Sequence, residues 1–401
     1  MSDPSPALTA PGRLVRKSKL RNGAKALFRW MRHNVIFTAA LALALLSFAV
    51  TPPKDSQAAA ALWRSIKWQT PILFFCIMYA IAGLRSCHFF RVLAQRLLER
   101  RHHTRSLACT LVFLAYAMAI VATNDVALLV LVPFTILLFD MLGLRRRIPT
   151  LLALQTIAAN LGAMSSPVGN PPNLYLYTEF NLSPLDFFWH MSPISLGGAL
   201  LLFLLVFLLP NEPIARLDLP AQRMVRPRRA ALYAVLLLLC LLSVFKVFHY
   251  GLLLALCLLC AFFVGRHILA KVHYSLLGTF VCFFIFSHNI RAFKPLGNFL
   301  EPLLKEHAQS TALVLTQFIS DIPAVLLLRP FTEDWRGLYW GIDIGIFGTP
   351  IASLAALITL NFYLQEKDAS GGRFLLRFLF FNLLFMGGLS LLTLVFPPCP
   401  W

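Results

Sequence analysis

Charge is what this sequence has least of. Only 13% of its 401 residues are Asp, Glu, Lys or Arg, and just 17 are acidic. So few charges cannot solvate a soluble domain of this length, which excludes an ordinary globular fold. The eight cysteines are scattered, mostly through apolar stretches, so no disulfide framework is encoded. Cys257-x-x-Cys260 lies inside an apolar helix and reads as two small buried hydrophobes rather than a metal site. His102-His103 stand in a basic stretch beside Arg100 and Arg101, and no metal centre is expected there. His-Glu-x-x-His, Gly-x-Ser-x-Gly and a phosphate-binding Gly-x-x-x-x-Gly-Lys-Ser/Thr are all missing. Their absence argues against a membrane-embedded enzyme, and no residue is assigned a catalytic role.

Apolar residues make up 58% of the chain. Stretches able to cross a hydrocarbon core of about 30 Å recur along it. The expected spans are Asn34–Val50, Thr70–Leu84, Thr150–Tyr177, Met191–Pro210, Ala230–Phe248, Gly251–Gly265, Tyr274–Ile290, Gly337–Leu364 and Phe374–Phe396. The formal charge of +19 invites a nucleic-acid reading, so its placement decides. With the N-terminus inside, the expected cytoplasmic segments hold 27 of the 36 Lys and Arg. This positive-inside bias fixes N-in, C-out for nine spans in a plasma membrane, expected to be a bacterial inner membrane. Nucleic acid is then not needed to explain the charge; the lipid bilayer is the expected partner. Residues 1–33 read as a basic cytoplasmic segment resting on anionic headgroups, too long a charged region for a cleaved signal peptide. Arg85–Arg105, mixing Phe89, Phe90, Leu93, Leu97 and Leu98 with Arg91, Arg96, Arg100 and Arg101, reads as an amphipathic helix at the inner surface.

The chain also repeats itself. Thr123-Asn124-Asp125-Val126-Ala127 through Pro133-Phe134-Thr135 returns without a gap as Ser320-Asp321-Ile322-Pro323-Ala324 through Pro330-Phe331-Thr332. A second block, Asn160 to Pro167, returns as Asp343 to Pro350. Paired, interrupted apolar segments in corresponding halves point to the binding site of a secondary transporter. The first block lies mid-way in two further apolar stretches, read as re-entrant hairpins at 106–142 and 308–335. Irregular backbone at that depth is tolerated only where protein or a wet cavity covers it. The expected fold is therefore an all-α polytopic membrane protein. It comprises two inverted halves, 34–210 and 230–401, about nine spans plus two re-entrant hairpins, and helices broken at mid-membrane. An Arg-rich cytoplasmic loop, 211–229, joins the halves, with Ala230–Phe248 left over as a connector.

Helix ends inside a membrane expose backbone groups: N-termini suit anions, and freed carbonyls with small oxygen side chains suit cations. Thr123, Asn124, Asn170, Asn173, Ser320 and Thr349 are the candidate substrate contacts. Asp125, Asn160, Gly162, Ser166, Asp321, Asp343, Gly345 and Gly348 are the candidates for ion coupling. Acids within a membrane are functional candidates by default, with helix capping as the competing role. Arg329 is expected to snorkel to the outer interface beside Glu333 or Asp334. His288 and Asn289 are expected to hydrogen-bond at the interface.

The two tips, Gly169-x-Pro171-Pro172-Asn173 and Gly345-x-x-Gly348-Thr349 resemble the motifs of the ion-transporter superfamily. That superfamily holds the divalent anion/sodium symporters (DASS), citrate-transporter-like permeases and arsenite permeases. The resemblance implies a homodimer with a scaffold and a moving transport domain, and no cofactor beyond a coupling proton or sodium ion. It also implies that Asn124, Asn173, Ser320 and Thr349 match positions contacting ion or substrate. Relatives commonly carry Asn where this chain has Asp321 and Asp343, which points away from simple sodium symport. The expected function is cation-coupled transport of a small anion such as a di- or tricarboxylate or an oxyanion. Sodium/proton antiport and arsenite efflux are the alternatives, with a channel further behind.

Overall fold

The structure, a computed structural model, describes residues 35–50, 62–64, 66–98, 103–214, 223–290, 294–366 and 369–395. The basic segment 1–33, His102, the middle of the Arg-rich loop and the final residues lie outside that description. Every regular element among the described residues is helical. The first half runs through α1 (Val35–Val50), α2 (Gln69–Ser86), α3 (Phe89–Leu98), α4 (Thr104–Ala122) and α5 (Asn124–Met141). It continues with α6 (Ile148–Met164), α7 (Pro171–Glu179) and α8 (Pro184–Phe207). The second half runs through α9 (Pro227–Val244), α10 (Tyr250–Phe263), α11 (Arg266–Leu269), α12 (Tyr274–Ile290) and α13 (Lys294–Ile319). It ends with α14 (Asp321–Leu328), α15 (Trp335–Gly345), α16 (Leu354–Leu364) and α17 (Gly371–Val395).

Packing follows the repeat. α4 lies along α6 as α13 lies along α15, and both contacts are made close by glycine. A Cβ on Gly162 would run into the Tyr116 carbonyl, and one on Gly345 would lie 3.2 Å from the Leu313 carbonyl. Tyr116 and Leu313 are equivalent in the tip register, as Gly162 and Gly345 are in the break register. α2 and α12 meet each other, α1 packs on α12, and α9 and α10 pack on α2. Each half thus sends a helix across to the other, and α9 is a packed element rather than a loose connector. Asn289 is buried: its amide donates to Ser47 at 2.9 Å and ties α12 to α1. Apolar residues facing the lipid hide no polar chain, so such isolated internal bonds select the register between otherwise uniform surfaces.

By length and composition, six helices can cross a membrane among the described residues: α2, α4, α5, α8, α9 and α17. α4 and α5, read from sequence as the arms of one hairpin, are therefore each of spanning length. Their junction nevertheless meets the interruption after α6, not a surface. α6 climbs 17 residues, about 25 Å, and the nine residues of α7 add about 13 Å beyond the junction. The tip accordingly meets the middle of the α6–α7 run rather than its end. In the second half α13 bends at His307 (φ −135°, ψ 39°), immediately before Ala308, where the expected hairpin begins.

A single cysteine replacing Arg145 should label only from the cytoplasm, and one replacing Glu333 only from outside. Labelling of both from one side would rule out opposed hairpins.

Candidate functional site

The two tips share one backbone geometry. Thr123 sits at φ 72°, ψ 150° and Ser320 at φ 71°, ψ 164°. Positive φ with extended ψ is territory that glycine alone enters cheaply, and strain there costs on the order of 1–3 kcal/mol. Both positions nonetheless keep a hydroxyl side chain. Each conformation ends one helix and starts the next, leaving the new helix's first N–H groups without partners.

The broken helices supply those partners. Asn124 N–H donates to the Gly169 carbonyl at 3.1 Å, and Asp321 N–H donates to the Ala352 carbonyl at 3.2 Å. Gly169 and Ala352 are themselves equivalent, in the register that pairs Asn160 with Asp343. Within the breaks, Ser165 N–H to Gly162 O (3.2 Å) repeats as Gly348 N–H to Gly345 O (3.2 Å). Gly169 N–H to Ser166 O (3.2 Å) repeats as Ala352 N–H to Thr349 O (3.0 Å). Prolines 171 and 172 occupy the first positions of α7, where no N–H is needed. Four residues at each break thus form a preset cradle for the opposing tip.

Side chains differ where the backbone agrees. Asn124 Oδ1 accepts from Asp125 N–H at 2.9 Å, and its Nδ2 donates to Asn160 Oδ1 at 3.0 Å. In the second half Asp321 Oδ1 accepts from Ile322 N–H at 2.8 Å and from Ser320 Oγ at 2.9 Å. Asp343 Oδ1 accepts from Asn170 Nδ2 of the other half at 3.0 Å. Asn170 also caps α7, its Oδ1 taking Asn173 N–H at 2.9 Å. Asp343 is fully buried, and its Oδ2 has no hydrogen-bond partner among the described residues. Asp321 lies within electrostatic reach of both Asp125 and Asp343. No ion pair touches any of the three among the described residues. Nor do they converge as a metal cage among the described residues.

Several candidates serve the scaffold of the site. Thr349 is committed to Gln317, its Oγ1 donating to the Gln317 carbonyl at 3.0 Å and its N–H to Oε1 at 2.9 Å. Gln317 Nε2 in turn donates to the Gly345 carbonyl at 2.6 Å. A Cβ on Gly348 would collide with that same amide. Ser166 Oγ accepts from Val168 N–H at 3.3 Å. Asn173 is buried beside Asp343, and its carbonyl takes the Tyr339 hydroxyl at 2.5 Å. Gln317, Tyr339 and Ser353 escaped the sequence reading; carrying the second block three residues past Pro167 and Pro350 pairs Ser353 with Asn170.

Arg329 is buried, contrary to the expected snorkelling. It stacks on Phe180 (4.0 Å), donates to the Thr332 carbonyl (3.1 Å) and pairs with Glu179 at 3.6 Å and Glu333 at 3.4 Å. Glu179 also holds Lys67 at 2.8 Å. Glu179, the partner of Arg329 from the other half, lies 150 residues away in sequence.

This arrangement of tips and breaks has relatives. A citrate transporter family model matches residues 26–335. The chain belongs to the citrate transporter family. An uncharacterized transporter of Methanocaldococcus jannaschii is 28% identical over 317 residues, 79% of this chain and 86% of that protein. The inner membrane protein YbiR of Escherichia coli is 28% identical over 304 residues, 74% and 80% of the two chains. A silicon efflux transporter of Oryza sativa subsp. japonica is 32% identical over 126 residues, 31% of this chain and 26% of that one. The crystal structure of the Alcanivorax borkumensis YdaH transporter matches with a TM-score of 0.57, covering 93% of this chain and 98% of that one. At 15% identity that likeness shows the fold alone. This member of the citrate transporter family is a multi-pass membrane transporter, not an enzyme.

Two outcomes test the site's construction. Thr123→Gly and Ser320→Gly should each raise the melting temperature, by relieving about 1–2 kcal/mol of strain, while lowering transport through loss of the hydroxyl. Unchanged stability in both would mean the tips are not strained. Glu179→Gln combined with Glu333→Gln should cost about 3–5 kcal/mol in denaturant unfolding by stranding buried Arg329; a loss under 1 kcal/mol would make the pairs incidental.

Proposed function

We propose that this member of the citrate transporter family is a proton-driven secondary carrier of a small carboxylate or oxyanion. The carrying observation is the exchange of amides for acids between equivalent positions. Asn124 and Asn160 form a hydrogen-bonded amide pair at 3.0 Å; the same two positions in the second half are Asp321 and Asp343. Ionised carboxylates only accept hydrogen bonds. An acid pair can reproduce the amide bond only when one member carries a proton. Two like charges in a low dielectric resist ionising together, which favours that singly protonated state. Proton arrival and departure at Asp321 and Asp343 would thereby set how tightly the second tip holds its break. Asp125, in electrostatic reach of Asp321, adds to the same field.

Sodium as the sole coupling ion is the weaker reading, since the amide and carbonyl ligands that suit it are partly replaced by acids. A relative named for silicon efflux favours a second reading, export of a small oxyacid in exchange for protons.

Proteoliposomes loaded against imposed gradients decide. Uptake from a panel of citrate, succinate, sulfate, phosphate, arsenite and silicate should follow a pH gradient. Asp321→Asn and Asp343→Asn should each abolish accumulation against that gradient while the folded protein remains. Wild-type transport that tracks a sodium gradient and ignores pH would defeat the proposal.

A further inference from the structure

We infer that Asn160 and Ser353 form the anion-holding half of the central site, gripping an oxygen of the carried carboxylate or oxyanion. The inference rests on the carrier reading above and adds the residues that hold the cargo. The repeat register pairs Asn160 with Asp343 and Ser353 with Asn170. Ser353 and Asn170 occupy the same structural position, the N-cap of the helix that resumes after each break (α16 and α7). On one side of the pseudo-twofold axis the pair is closed, Asn170 Nδ2 reaching Asp343 Oδ1 at 3.0 Å. On the other side the serine is a shorter side chain. Its Oγ and the Asn160 Nδ2 both lack a hydrogen-bond partner among the described residues. Both residues are buried, at 1% and 0% exposure.

The helices carry both groups to the same side of one contact. Thr156 on α6 and Thr359 on α16 share a hydroxyl hydrogen bond at 2.8 Å. From there α6 runs four residues up to Asn160, about 6 Å, and α16 runs six residues back to Ser353, about 9 Å, both toward the break. On the closed side Tyr339, the counterpart of Thr156, reaches the Asn173 carbonyl at 2.5 Å, three residues from Leu176, the counterpart of Thr359. The amide orientation is fixed as well. Asn124 Oδ1 takes Asp125 N–H, so Nδ2 must donate to Asn160 Oδ1, which leaves Asn160 Nδ2 turned outward.

What these atoms would bind follows from their chemistry. Asn160 Nδ2 is a donor, Ser353 Oγ–H can donate, and Ser353 makes no side-chain cap to the 11-residue helix α16. The N-terminal end of α16, with its positive partial charge, lies at the same place. Buried donors are seldom left unsatisfied, and an anionic oxygen satisfies both at once. Acids stand close by: Asp321 N–H donates to the carbonyl of Ala352, the residue before Ser353, and Asp125 follows Asn124, the partner of Asn160. The anion is therefore held beside the proton-carrying groups and is gripped best when those acids are protonated.

Equilibrium binding to the purified full-length protein, at one pH and without any gradient, tests the assignment. The probes are citrate, succinate, sulfate, phosphate, arsenite and silicate, read by thermal shift and then by titration. At least one should stabilise the wild type. For that anion, Ser353→Ala and Asn160→Ala should weaken binding about ten- to a hundredfold, Ser353→Thr should stay within a few-fold, and Asn160→Asp should abolish it. Ser353→Ala removes a group with no partner, so its ligand-free melting temperature should not fall. No stabilising anion, or wild-type affinity in both Ser353→Ala and Asn160→Asp, would overturn the inference. With no gradient present, that result is independent of proton drive: intact anion binding with pH-indifferent uptake would sink the coupling alone.

Discussion

The fold depends on one hydrogen bond made twice. A helix that starts inside a membrane leaves its first N–H groups without water to accept them. Here Asn124 N–H finds Gly169 and Asp321 N–H finds Ala352. A carbonyl is free to accept only because each opposing helix has itself been broken. Tip and break therefore require one another. The glycines that let α4 approach α6 and α13 approach α15 bring them to the same depth. A helix continuous through 165–170 would consume the Gly169 carbonyl and strand the tip. An unbroken α4–α5 helix would leave the carbonyl without its donor.

The strain at Thr123 and Ser320 belongs to the same economy of donors. A glycine would enter positive φ more easily, yet both positions retain a hydroxyl. Ser320 Oγ donates to Asp321 Oδ1, so at least one of these hydroxyls works on the acid next to it. Strain of this kind persists where the surroundings over-determine it. The cradle of repeated backbone bonds does that here, holding the turn from both sides.

Much of this was legible because the repeat is written in the residues that make the breaks. Prolines, glycines and small polar side chains cannot be hidden inside apolar helices, so the tips, the broken helices and their pairing stood out. Lengths were less legible: α4 and α5 each reach spanning length, and composition does not mark where the membrane ends. Arg329 was misplaced for a different reason. Its neighbours in sequence, Glu333 and Asp334, suggested a surface cluster, whereas Glu179 and Phe180 reach it only through the packing of α7 against the second hairpin. Gln317 and Tyr339 looked like ordinary helix residues; only the fold shows that each stitches a helix to a break.

The joining of an amide half to an acid half also supplies a physical route to coupling. An anion held by Asn160 and Ser353 would feel the charge on Asp321 and Asp343. Unit charges about 8 Å apart, at an effective dielectric of about 20, repel by about 2 kcal/mol, or about thirtyfold in affinity. A proton on the acids removes that repulsion, so proton and anion would bind cooperatively and by linkage each would raise the other's affinity equally. An exactly symmetric site, amide with amide, would bind an anion without needing the proton. Replacing the Asn124–Asn160 amide pair by Asp321 and Asp343 in the second half is what makes charge on the cargo and charge on the carrier depend on each other.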